Sequence, residues 1–144
     1  MKYISVVIPC LNEEKTLKSC IDEAKIGIEN SKYDGEIVVS DNGSTDNSIN
    51  IAKENGARVI NTEIRGYGAA IINGIKNAKG EYVIIGDADM TYDFKEIPKF
   101  VDGLEVDSDL VIGNRFQGGI EKGAMPFLNK YVGNPVLSFI ARTF

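Results

Sequence analysis

Short apolar runs punctuate the chain at Ile4-Ser5-Val6-Val7-Ile8, Glu36-Ile37-Val38-Val39-Ser40, Arg58-Val59-Ile60, Tyr82-Val83-Ile84-Ile85 and Leu110-Val111-Ile112. They are rich in Val and Ile and scarcely alternate with polar residues, the pattern of strands buried on both faces. Between them apolar residues recur at helical spacing, which predicts helices from about Glu14 to Asn30, Asp46 to Asn55, Gly68 to Ala78 and Phe94 to Leu104. Strand and helix alternate throughout, so the expected fold class is α/β, a mostly parallel sheet flanked by helices. Asp34-Gly35, Asn55-Gly56 and Lys79-Gly80 read as the ends of helices or turns between these elements.

Composition narrows the picture. With 144 residues, 43% of them hydrophobic, the chain suits one domain with a real core. It carries 21 acidic against 16 basic residues, a net charge of −5, and its lysines are scattered, which disfavours a nucleic-acid partner. The absence of histidine removes imidazole general bases and metal ligands, leaving carboxylates, arginine and backbone amides to do any chemistry. Cys10 and Cys20 have no zinc spacing and read as small buried thiols of a reducing cytoplasm. No charged leader followed by an apolar core opens the chain, and no stretch reaches the ~18 uncharged apolar residues of a spanning helix. The segment 123–144 is apolar, aromatic and lightly basic, with Lys130 and Arg142 placed as in an interfacial helix. A helix packed on the domain or on a partner chain fits it equally.

In open parallel sheets, ligands collect beyond the carboxyl ends of the strands. There the sequence places Pro9-Cys10-Leu11-Asn12-Glu13-Glu14, Asp41-Asn42-Gly43-Ser44-Thr45-Asp46, Arg65-Gly66-Tyr67-Gly68 and Asp87-Ala88-Asp89. In extended backbone Asp87 and Asp89 share one side with Ala88 turned away, and their hard oxygens suit Mg²⁺ or Mn²⁺ bridging a diphosphate. A solvated acidic turn is the alternative. Asp107-Ser108-Asp109 has the same spacing but precedes its apolar run, so it is expected to be a solvated loop. Ser44, Thr45 and Asp46 fit helix caps, whereas Asp41 ends a buried strand with no evident cap to make and suits a nucleobase N–H. Gly66-Tyr67-Gly68 permits close approach of a phosphate at a helix start, with Arg65 beside it. Ile71 replaces the third glycine of a dinucleotide fingerprint, which makes an NAD-binding domain a poor reading.

These four motifs in order, over nearly the whole chain, resemble family 2 glycosyltransferases of the GT-A (Rossmann-like) fold. Gly113-Asn114-Arg115-Phe116 and Gly133-Asn134-Pro135 add similarity to enzymes that load a sugar onto polyprenyl or dolichyl phosphate. The resemblance implies a nucleotide-sugar-binding domain over 1–122, then the apolar segment 123–144, in a chain truncated at its C-terminus. It implies that Pro9, Asn12 and Glu13 or Glu14 line the nucleoside pocket, Asp41 meets the base, and Arg65 and Gly66 border the nucleotide. Asp87, with Ala88 beside it, then approaches the ribose and shares the metal with Asp89, while Arg115 faces phosphates. Asp89, Arg115 and Asp93 are the candidate catalytic residues, Asp93 being the nearest spare carboxylate and also a natural cap for the helix at Phe94. Asn42 and Thr91 depart from the family, which commonly has an acid and a glutamine there. The implied donor is a UDP- or GDP-hexose, and the implied acceptor a lipid phosphate at the cytoplasmic face of a membrane; an oligomer is allowed. Transfer to a sugar hydroxyl of a polysaccharide and a nucleotide-sugar-binding module without full activity stay open. A lipid phosphate is ionised near neutral pH and needs no strong base, which suits a chain without histidine.

Overall fold

The computed structural model describes residues 2–106 and 108–113. Its elements run β1 (Tyr3–Cys10), α1 (Leu17–Glu29), β2 (Asp34–Asp41), α2 (Ser48–Glu54), β3 (Arg58–Asn61), α3 (Tyr67–Asn77), β4 (Tyr82–Ile85), a 3-10 turn at Phe94–Glu96 and α4 (Ile97–Glu105). The strands form one parallel sheet in the order β3-β2-β1-β4. The first compact unit of the chain ends at Val111. The expected junction at residues 122 and 123 lies outside the described residues, as does the apolar segment 123–144.

Alternation along the central strands sorts the helices into two layers. Ile4, Val6 and Ile8 of β1 and Ile37 and Val39 of β2 join Leu17, Cys20, Ile21 and Ala24 of α1 and Ile97 and Val101 of α4 in one buried cluster. The opposite face carries Val7 and Ser40, and there α3 packs on β1 and β2. Gly74 makes that contact close, because a Cβ there would run into Val7 Cγ1. The buried Ser40 hydroxyl donates to the Ala70 carbonyl at 2.7 Å, fixing α3 along the sheet.

Some expectations are corrected. Leu110-Val111-Ile112 is not a fifth strand: it has no ladder partner among the described residues, and Leu110 and Ile112 are exposed. A β-branched run supplies extended propensity, but a strand needs a neighbour to pair with. The last helix is split, its first turn being 3-10 around the Asp93 cap. Helix α1 starts at Leu17 rather than Glu14, and the amides of Glu13 and Glu14 ahead of it bond to Ser48 Oγ and Asp46 Oδ2. Gly35 lies inside β2 and lets it approach the Ile4 carbonyl, rather than ending a turn.

The amino-terminal end of the sheet is closed by a polar knot. Glu36 Oε1 accepts from Ser5 Oγ at 3.0 Å, the Lys79 amide at 3.0 Å and Arg58 at 2.9 Å, while Ser5 Oγ accepts from the Lys79 and Gly80 amides. Burial pushes the Glu36 carboxyl up, and the bonds from Arg58, Lys79 and Ser5 outweigh it, leaving it below its ordinary value. A carboxyl so lowered stabilises the fold above its unfolded pKa of about 4.3 and loses that contribution as pH falls through the folded value. Glu36→Gln is therefore expected to lower stability at neutral pH by about 1–3 kcal/mol and to flatten the decline below about pH 4.3. Urea unfolding across that pH range reads both effects, and an unchanged acid limb would refute the assignment.

Candidate functional site

The sheet order makes β1 the point where the chain reverses direction: β2 and β3 build outward on one side and β4 returns to the other. In open α/β sheets ligands bind at such a switch point. Here the ladders of β1 end at different heights. Pairing with β2 runs to Cys10 and Asp41, whereas pairing with β4 stops at Val7 and Ile85. Val7 O accepts from the Gly86 amide and Cys10 O from the Asn42 amide, so alternate residues of β1 face β4 and β2. Pro9 falls on the β4 side and has no N–H to give, so the ladder ends beneath it and the strands part. A cavity of about 380 Å³ opens there, lined by Pro9, Cys10, Leu11, Glu13, Asn42 and Tyr67 and closed by Ala70, Asp87, Ala88 and Asp89.

The loops around it brace one another. Asn12, at φ 60°, gives its amide to Ser44 Oγ at 2.9 Å and takes the Thr45 amide on Oδ1 at 2.8 Å. Glu14 Oε2 accepts the Asn47 amide at 3.1 Å, serving the start of α2 from another loop. Ser44 and Thr45 thus cross-link two loops rather than cap a helix, and the cap position of α2 falls to Asn47, with Asp46 just before it accepting the Ser48 amide at 3.0 Å. Asp41 is buried and has a structural role after all: its carboxylate accepts the amides of Gly43 and Ser44 and shapes the turn. Asn42 is pinned at both ends, Nδ2 donating to the Ile64 carbonyl at 3.0 Å and Oδ1 accepting the Gly66 amide at 2.7 Å. That clamp requires a donor and an acceptor on one side chain, which an amide has and a carboxylate lacks.

The acidic pair leaves extended backbone at once. A turn begins at Ala88, which is buried in the core, and Met90 sits at φ 65°. A left-handed methionine is strained, and such strain collects where a site must be shaped. The turn closes with Asp89 Oδ1 accepting the Thr91 amide at 2.9 Å. Bonds from the Thr91 side chain and amide hold the Asp89 carboxyl below its ordinary range, so it stays ionised and exposed. Asp87 Oδ1 accepts from the Tyr67 hydroxyl at 2.7 Å. No group of three His, Cys, Asp or Glu gathers to cage a metal among the described residues. Two hard carboxylates beside an open cavity instead fit an Mg²⁺ or Mn²⁺ ion that takes its remaining ligands from a bound phosphate and water.

Of the sequence candidates, Pro9, Glu13, Asp87, Ala88 and Asp89 line one cavity. Asn12, Glu14 and Asp41 spend their side chains on the loops. Arg65 is exposed over Gly43, forms no ion pair among the described residues, and with Gly66 stands beside the lining rather than in it. Asp93 accepts the Lys95 amide at 3.0 Å as the cap of the 3-10 turn and lies outside the lining. Arg115 lies outside the described residues. The sequence reading gave no role to Tyr67, and it missed the clamp made by Asn42; the signal for Tyr67 was its place as first residue of a helix opening at the ligand edge.

Residues 5–143 match the family described as Glycosyl transferase family 2. The chain is 43% identical over 142 residues to the low-salt glycan biosynthesis hexosyltransferase Agl6 of Haloferax volcanii, covering 98% of this chain and 34% of that protein. It is 30% identical over 134 residues to the dolichol-phosphate mannosyltransferase of Pyrococcus furiosus, covering 90% of this chain and 38% of that one. Among solved structures it resembles glucosyl-3-phosphoglycerate synthase from Mycobacterium tuberculosis in complex with Mn²⁺, UDP and phosphoglyceric acid. That match has a TM-score of 0.63 at 33% identity, over 72% of this chain and 39% of that chain. The chain thus spans well under half the length of these relatives.

The Asn42 clamp makes a direct test of the loop geometry. Asn42→Asp removes the donor to Ile64 and sets a buried carboxylate against a carbonyl, at an expected cost of about 1–3 kcal/mol. Burial raises the new carboxyl above its unfolded value of about 3.9, so the deficit is smallest below that pH and grows as the group ionises. Chemical denaturation at acid and neutral pH measures it, and an equal deficit at both would refute the clamp.

Proposed function

The chain belongs to glycosyl transferase family 2, and from that premise we propose that it supplies the donor site of a longer hexosyltransferase. In this reading a UDP- or GDP-hexose occupies the cavity at the switch point, and the acceptor is a polyprenyl phosphate. The observation that carries it is the convergence of Asp87 and Asp89 with Pro9, Leu11 and Glu13 on one cavity beyond the parted ends of β1 and β4. A nucleoside fits against Pro9 and Leu11, with Asp87 toward the ribose and the diphosphate toward Asp89. Mg²⁺ or Mn²⁺ held by Asp89, with Asp87 beside it, would neutralise the diphosphate as it leaves. The ionised state of Asp89 at neutral pH suits that task. Arg65 at the rim, exposed over Gly43, is placed to meet phosphate charge.

The chain's own residues bind and orient the donor; none in the cavity is a histidine, and Asp93 is occupied as a cap. A phosphate acceptor, already anionic, fits a site without a strong base. The match to the dolichol-phosphate mannosyltransferase supports that acceptor class. Such an acceptor would bring the full-length enzyme to a membrane surface, although no described helix is long and apolar enough to cross one. A second reading, a small phosphorylated acceptor, is favoured by the likeness to a synthase crystallised with phosphoglyceric acid.

Calorimetry with UDP-glucose and GDP-mannose, each with and without Mn²⁺, tests the donor site. One nucleotide sugar is expected to bind more tightly with the metal, and Asp89→Ala to remove that gain by at least about tenfold, the lower bound seen for metal-site partners. If neither sugar nucleotide binds, or the variant keeps the gain in full, the reading is wrong. Product analysis with a short-chain polyprenyl phosphate and with 3-phosphoglycerate separates the two acceptors.

A further inference from the structure

Tyr67 is an exposed aromatic at 61% of its surface, so packing does not account for it. Its hydroxyl instead crosses from the first turn of α3 to the end of β4 and donates to Asp87 Oδ1 at 2.7 Å. The two acids of the turn are therefore held differently. Asp89 is held locally, by the amide two residues on, whereas Asp87 is held by a side chain from another element.

The platform under Tyr67 is rigid. Gly66, at φ 134°, donates its amide to Asn42 Oδ1 and accepts the Ala70 amide on its carbonyl at 3.0 Å, which sets the direction in which α3 starts. Ser40 then fixes the helix at the Ala70 carbonyl and Gly74 seats it on Val7. Asn42, Tyr67, Ala70 and Asp87 all line the same cavity.

We propose that Tyr67 is a positioning residue whose hydroxyl locks Asp87 in one rotamer and leaves Oδ2 to accept from the ribose diol of the donor nucleotide. The inference rests on the reading of Asp87 as the ribose contact. An aspartate free to turn about two torsions must be ordered when ligand binds, and a prior bond to one oxygen removes that cost.

The test is calorimetry of the full-length protein with UDP and with 2′,3′-dideoxy-UDP, or the GDP pair if guanosine is preferred, in the presence of Mn²⁺. Wild type is expected to favour the ribose form, and Tyr67→Phe to shrink that preference by about five- to tenfold. The affinity for the dideoxy form and the melting temperature are expected to stay unchanged. If Tyr67→Phe keeps the preference, or weakens both ligands alike, the hydroxyl does not position Asp87. If only Tyr67→Ala has an effect, the ring matters and not its bond. Nucleotide binding by wild type without a diol preference would overturn the inference while sparing the donor site, whereas no binding of either nucleotide would overturn both.

Discussion

The unequal ending of two parallel ladders on one strand is what the rest of the molecule is arranged around. β1 stays paired to β2 through Cys10 but leaves β4 after Val7, and Pro9 lacks the N–H that would have continued the pairing on that side. The backbone groups freed there do not collapse together, because β4 turns away at Gly86 and Ala88 anchors the following turn in the core. A cleft at a strand end is therefore built into the hydrogen-bond pattern. Helices on both faces keep the sheet rigid enough to hold it open.

Most of the polar side chains gathered at that edge serve the loops. Asn12, Glu14, Asp41, Asn42, Ser44 and Asp46 satisfy backbone amides and carbonyls that an irregular loop would otherwise leave without partners. Only a few acids remain turned to the cavity, and two of these, Asp87 and Asp89, are themselves oriented by hydrogen bonds. The site is thus preorganised by residues that need not touch a ligand, the arrangement expected where binding geometry matters more than loop mobility. The knot of Ser5, Glu36 and Arg58 does the corresponding work at the other end of the sheet, tying β1, β2 and β3 to the loop that leads into β4.

Membership of glycosyl transferase family 2 fits this division of labour. The described unit contains a cleft, a pair of carboxylates beside it and a helix opening toward them, which are the parts the proposed donor site draws on. The chain spans well under half the length of the two transferases named above.

The sequence by itself determined the fold class, the order of elements and the edge at which polar residues collect. Val- and Ile-rich runs and helical periodicity are local patterns, and a parallel sheet follows from their alternation, although only β1 and β2 are buried as expected and β3 and β4 are half-buried. It also marked Asp87 and Asp89, because two acids directly after an apolar run stand at the edge where ligands collect. Tertiary structure decided which polar residues face the cavity and which brace the loops. Asp41 and Glu13 look alike as acids after strands, but one is buried under its own turn and the other lines the cleft. It also decided that Leu110-Val111-Ile112 would not extend the sheet, and that Tyr67 would reach Asp87 across 20 residues of chain. The cavity, the sheet ladder and the Tyr67 bond depend on partners distant in sequence, whose positions a propensity or a motif does not carry.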